Sequence, residues 1–139
     1  MHKFLCSTQI LALLFILSSC GNNRKLTAQT ETLFRGNWRL TELQGQNLPD
    51  TTRSNFEFTP GRITGSVGCN RLSAGFVAGK DQTIRFTPAA QTKMACSDEI
   101  AALETRVLDA LSRSTNWEMK GGDLWLGKGD SMLMKLRSF

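Results

Sequence analysis

The chain has 139 residues, with 17 basic and 12 acidic side chains and a formal net charge of +5. The cations are dispersed rather than gathered into a stripe that could follow a phosphate backbone, which argues against nucleic-acid binding. The single histidine is His2, so any chain that loses its first residues cannot assemble a Ser-His-Asp or Cys-His mechanism or a His-containing zinc centre.

Taken in order, Lys3 and the amino terminus precede a largely apolar stretch from Phe4 to Leu17, followed by Ser18 and Ser19. Charge, apolar run and small residues in that order form an export signal. The run is too short to cross a hydrocarbon core of about 30 Å. Leu17-Ser18-Ser19-Cys20 resembles the lipobox of bacterial lipoprotein precursors. The resemblance implies that residues 1–19 are removed as a signal peptide and that Cys20 carries lipid, palmitate included. The competing reading is an ordinary secretory signal cut near Ser19, which leaves Cys20 as a thiol. Gly21 stands where lipoproteins kept in the inner membrane carry Asp, so the expected location is the outer membrane, facing the periplasm. Losing Lys3 leaves 16 basic and 12 acidic side chains, or +4.

Residues 20–33 are mostly polar and read as a flexible tether, with a root-mean-square span of only about 20 Å. Arg24 and Lys25 on it can add weak attraction to anionic headgroups. Residues 34–139 are then one domain by length. Within it, Trp38 to Leu43 opens a strand. Phe56-Glu57-Phe58 and Ile63 to Val67 flank the turn Thr59-Pro60-Gly61 as a hairpin, and Leu72, Ala74 and Phe76 alternate again before Ile84 and Phe86. After Pro88 comes the one convincing helix. Ser97 can cap it, Asp98 and Glu99 suit its first turn, and Ile100, Leu103, Val107 and Leu111 recur at helical spacing. Trp117 with Met119, Leu124 with Leu126, and Met132, Met134 and Leu136 then form a three-stranded meander. The predicted fold class is α+β, a curled, barrel-like antiparallel sheet of about eight short strands packed on one amphipathic helix. Curling also hides strand edges.

Cys6 leaves with the leader and Cys20 takes lipid, so Cys69 and Cys96 remain. In an oxidising compartment they are natural disulfide partners. Two separate buried thiols acting as small hydrophobes are the alternative.

Trp38-Arg39-Leu40, the Gly65 to Asn70 segment ending in Gly68-Cys69-Asn70, Thr92-Lys93-Met94-Ala95-Cys96, a helix containing Glu104, and Leu124-Trp125-Leu126 together resemble the META domain of HslJ-like bacterial envelope proteins. The match covers roughly Phe34 to Leu136. It implies a small α+β roll and association with envelope stress and drug tolerance.

In Gly68-Cys69-Asn70, Gly and Asn both tolerate positive φ and Asn can bond its own backbone, which suits a tight turn. Arg71 and Lys93 flank these motifs and are the first candidates for partner contacts. Trp38 and Trp117 belong to the core. Trp125, between Leu124 and Leu126, points the other way and is the candidate exposed aromatic for binding. Met132 and Met134 could offer thioethers to copper, but two methionines on one strand face read as core filler. No catalytic residue, cofactor or metal is expected, and the acids are too scattered for paired-carboxylate hydrolysis. The functional expectation is a noncatalytic, membrane-tethered envelope lipoprotein that binds a protein or envelope component. A pilot-like chaperone for an outer-membrane assembly and an inhibitor of an attacking hydrolase such as lysozyme are the alternatives.

Overall fold

Alternation of apolar and polar residues at period two forms strands when one face is buried, and that pattern governs most of this chain. A computed structural model describes residues 30–139. Cys20, the leader and most of the tether lie outside the described residues. The strands are β1 (Gly36–Leu43), β2 (Gln46–Asn47), β3 (Asn55–Thr59), β4 (Arg62–Ser66), β5 (Arg71–Ala78), β6 (Ile84–Phe86) and β7 (Ala90–Gln91). After helix α1 (Asp98–Arg113) come β8 (Asn116–Lys120), β9 (Asp123–Lys128) and β10 (Ser131–Ser138).

All pairings are antiparallel, and the main path runs β6-β5-β4-β3-β1-β10-β9-β8. These eight are the strands that the alternation predicts. The additional β2 and β7 hang on β1 and β5; two residues each are too few to show a period. An isolated bridge between Thr83 and Asn116 brings the two ends of the path together. Ile84 N donates to Thr115 O at 3.0 Å and Trp117 N to Gln82 O at 2.8 Å across the same seam. The sheet is thus nearly closed.

Helix α1 begins where the sequence places it. The Ser97 side chain accepts from Ile100 N, with Asp98 and Glu99 in the first turn and Arg113 in the last, both favourable to the helix dipole. Its inward stripe contains Val107, Ala110, Leu111 and the charged residue Glu104, and it packs on β1, β6, β9 and β10.

Residues 30–33, read from sequence as the end of the tether, are folded. Thr30 and Glu31 are buried, and the 3-10 turn Thr32–Phe34 drives Phe34 into the core. There the Phe34 ring meets those of Phe58, Phe76 and Trp117, edge-on to Trp117 with centroids 4.8 Å apart. Trp38 and Trp117 are buried as expected, and each indole N–H finds a carbonyl: Phe34 O at 2.7 Å and Gly79 O at 3.1 Å. A bulge between Met132 and Met134 shifts the register of β10. Consecutive Leu133 and Met134 therefore both face inward while Met132 is half-buried, so the two thioethers do not share one strand face.

Candidate functional site

The outward side chains of β3, β4 and β5 lie in two cross-strand rows. Glu57, Thr64 and Ser73 form one, and Asn55, Ser66 and Arg71 the other. The central positions, Thr64 and Ser66, are small, and Gly65 between them turns its Cβ side to the core, in register with buried Phe56 and Leu72. A Cβ at Gly65 would stand 2.5 Å from Asn55 O and 2.6 Å from Phe56 Cδ1. The chain at β7 and Thr92 runs along β5 and forms a wall. The result is an open groove of about 740 Å³, floored by Thr64, Gly65, Ser66, Leu72 and Ser73 and bordered by Glu57, Arg71, Gln91 and Thr92. A shallower hollow of about 270 Å³ over Arg53, Ser54 and Gly68 shares Asn55 and Ser66 with it. Hydroxyl and amide groups at a sheet surface, with one carboxylate and one guanidinium at the margin, can hydrogen-bond an extended polar ligand.

Beneath the wall lies a buried polar brace. Glu104, only 3% exposed, accepts from Cys69 N at 3.3 Å and from Asn70 N through one oxygen. Through the other it accepts from Asn70 Nδ2 at 2.7 Å and Gln91 Nε2 at 3.0 Å. Four donors converge on one acidic side chain, which satisfies the buried group. Asn70 passes the network on, since its Oδ1 accepts from Thr92 Oγ1 at 3.0 Å and Met94 N at 2.8 Å. Thr92 Oγ1 also receives Arg71 N at 3.0 Å.

Cys69 and Cys96 are joined by a disulfide with Cα atoms 6.1 Å apart, tying the turn after β4 to the approach of α1. The turn differs from its sequence reading in one respect. Gly68 has φ +132°, but Asn70 does not have positive φ and its side chain reaches across to Glu104 and Met94 rather than its own backbone. The sulfurs and a Glu104 oxygen lie within 4.8 Å of one another. That cluster is no metal centre in this state, because the sulfurs are bonded to each other and the carboxyl oxygens already face donors.

Of the expected contact residues, Arg71 is exposed on the groove margin, and Lys93 is exposed beside Thr92. Trp125 is elsewhere, on the outer face of β9, and it is half-buried rather than exposed. Its ring is covered by Lys135, with Nζ 4.7 Å from the centroid, and flanked by Lys120 at 6.0 Å. Its Nε1 is buried with no hydrogen-bond partner among the described residues. Period two gives its outward direction correctly but not the lysine stems that lie across it. Beside it, Asp123 receives Arg137 Nε at 3.1 Å and pairs with Lys135 Nζ at 3.3 Å. The hydrogen bond from Arg137, and then the one from Lys135, hold the Asp123 carboxyl below its ordinary value.

Sequence reasoning missed Asn55, Glu57, Thr64 and Ser73, because outward polar residues on a strand look alike until their strands are ordered. For Glu104 a signal existed. It falls on the stripe defined by Ile100, Leu103, Val107 and Leu111, where a charge needs partners.

The family model described as META domain matches residues 31–138. Among solved structures, a DUF4847 family protein from Bacteroides vulgatus has 18% identity and a TM-score of 0.61, over 79% of this chain and 97% of that one. A protein from Burkholderia xenovorans, solved by NMR, has 18% identity and a TM-score of 0.60 over 99% and 97%. A further NMR structure has 20% identity and a TM-score of 0.58 over 76% and 91%. At such identities the likeness is one of fold. Comparison with curated proteins returned no match.

Proposed function

Because the chain belongs to the META domain family, we propose that it is a noncatalytic binding domain, held at a bacterial envelope membrane by lipid on Cys20, that takes a protein or envelope component into the groove of β3, β4 and β5. The observation that carries this reading is the groove itself. It is open and roughly 740 Å³ in volume, within the range of small-ligand and peptide clefts. Its wall is fixed from behind by the Glu104 network and the disulfide, so little ordering is required when a partner arrives. Glu57 and Arg71 are the only titratable groups among its lining residues. A carboxylate and a guanidinium serve as hydrogen-bonding margins rather than as an acid and base pair. The setting implied by the Cys20 motif and the family resemblance is envelope stress or drug tolerance.

Site-specific photocrosslinking in cells tests the reading. A photoreactive residue in place of Ser73 should give an adduct that weakens when Thr64→Trp fills the groove, while the same probe at Lys128 should give none. An outer-membrane pore subunit in the adduct would make the domain a pilot, and a lysozyme-like hydrolase would make it an inhibitor. Equal labelling with and without Thr64→Trp, or turnover of a substrate by the purified domain, would refute it. Metabolic palmitate labelling, abolished by Cys20→Ala, tests the anchor separately.

A further inference from the structure

The groove of β3, β4 and β5 carries opposite charges on its two sides. At one end of the row Glu57, Thr64 and Ser73, Glu57 is the only acid in the strands from β3 to β7. At the other end, on β5, Ser73 has a guanidinium to either side. Arg71 lies two residues away on the same outward face. Arg62, opposite Gly75, leans over to donate from Nη1 to Ser73 Oγ at 2.9 Å. Arg62 is also diagonal to Glu57 across β3 and β4, near enough for an ion pair, yet it turns away. Among the described residues neither the Glu57 carboxylate nor the Arg71 guanidinium has a hydrogen-bond or ion-pair partner.

The charges around the groove keep this polarity. Lys93, exposed after Thr92, adds to the β5 side, and Arg53 lines the adjoining hollow. Glu104 is buried behind the wall with its oxygens already met by donors, while Asp98 and Glu99 belong to the first turn of α1 and do not line the groove. Ser73 Oγ accepts from Arg62, and its own proton has no acceptor among the described residues. Two strand spacings, about 9.6 Å, separate β3 from β5 along the row. An extended peptide of three residues spans about 10–11 Å. The lining residues include no aromatic ring on which a sugar face could stack.

We propose that the groove binds short peptides whose two ends are both charged. The terminal carboxylate lies between Arg62 and Arg71 over the Ser73 hydroxyl, the terminal ammonium meets Glu57, and the middle of the peptide crosses Thr64. The inference rests on the groove being the binding site and narrows its occupant to a peptide of about three residues. Two arguments identify that occupant: unpaired charges of opposite sign on the two sides of a hydroxyl-lined floor, and a separation that matches the length of the extended ligand.

The test titrates trialanine into the chain from Cys20 onward, carrying Cys20→Ser with the disulfide intact, and follows amide shifts by NMR. The amides of Thr64, Ser73 and Thr92 should move while those of β9 stay in place, and dialanine should bind less tightly. Acetylating the amino end removes the ligand's cation and should weaken binding about fivefold, the upper end for one exposed ion pair. Amidating the carboxyl end removes the charge held by two guanidiniums and should weaken it about tenfold. In Glu57→Gln the acetyl group should no longer matter, and in Arg71→Gln the effect of amidation should fall to about threefold. Neither side chain has a described partner to lose, and unchanged β9 and β10 shifts confirm that the variants are folded. Lys128→Gln should bind as the parent chain does. Doubly blocked trialanine binding as tightly as the free peptide, or blocking effects that persist undiminished in both variants, would overturn the proposal. If trialanine does not bind while the Ser73 photocrosslink still forms, this inference falls and the groove reading stands; shifts confined to faces away from β3, β4 and β5 count against both.

Discussion

Replacing Glu104 by Gln conserves the shape of the side chain but exchanges one acceptor oxygen for an NH₂ group. Four donors now converge on the carboxyl, two from the Cys69–Asn70 backbone and two from the Asn70 and Gln91 amides. If the remaining oxygen stays on the backbone pair, the new NH₂ faces Asn70 Nδ2 and Gln91 Nε2, donor against donor. Flipping the Asn70 amide would relieve one clash only by withdrawing the oxygen that serves Thr92 and Met94 N. Two hydrogen bonds to a charged group are lost either way, each worth about 1.5–3 kcal/mol. With partial relaxation, the expected loss is about 3 kcal/mol in urea unfolding at neutral pH. Tm should fall by roughly 10–25 °C for a domain of this size. The amides of Cys69 and Asn70 should also lose protection from hydrogen exchange while those of β9 and β10 keep theirs. A loss below about 0.5 kcal/mol, with the disulfide verified by mass, would refute the assignment of Glu104 as the brace of the groove wall.

Reducing the Cys69–Cys96 bond, which spans a sequence separation of 27, should lower stability by about 3.6 kcal/mol in the chain-entropy model; denaturant midpoints with and without a phosphine reductant measure it. Gly65→Ala sets a methyl against Asn55 O and Phe56, an overpacking expected to cost about 1–3 kcal/mol. It should also disturb the amide shifts of β3 and β4 in an NMR spectrum. Asp123 titrates below its ordinary value because Arg137 and Lys135 favour its charged form. Its contribution to stability is therefore present above about pH 4, the unfolded value, and lost as pH falls through the lower folded value. In Arg137→Gln the Asp123 carboxyl should titrate closer to the ordinary value by carbon-detected NMR, and an unchanged titration would contradict the pairing.

The parts of the fold legible in the sequence are those where burial imposes a period. Eight strands and one capped helix follow from alternation, helical spacing and Ser97. Registers and irregularities were not legible. The bulges at Leu40/Glu42 and Met132/Met134 depend on how neighbouring strands meet, not on either strand alone. The motifs around Cys69, Asn70 and Cys96 lie beside the groove wall, but the hydrogen bonding there needs Glu104, 34 residues after Asn70. The groove was least legible, because its residues come from four strands and become neighbours only through the pairing order. Arg71, singled out for its place beside Asn70, lies on the groove margin. Trp125 was placed on the correct face but not under the lysines that cover it.

The final strand, β10, sits between the first, β1, and the ninth, β9. Without that segment the two halves of the sheet meet, among the described residues, through the Thr83–Asn116 bridge and the hydrogen bonds beside it, while β1 and β9 keep raw edges. Completion of the sheet is thereby postponed until β10 has been made. It also means that clipping the last eight residues should abolish the structure rather than merely fray it.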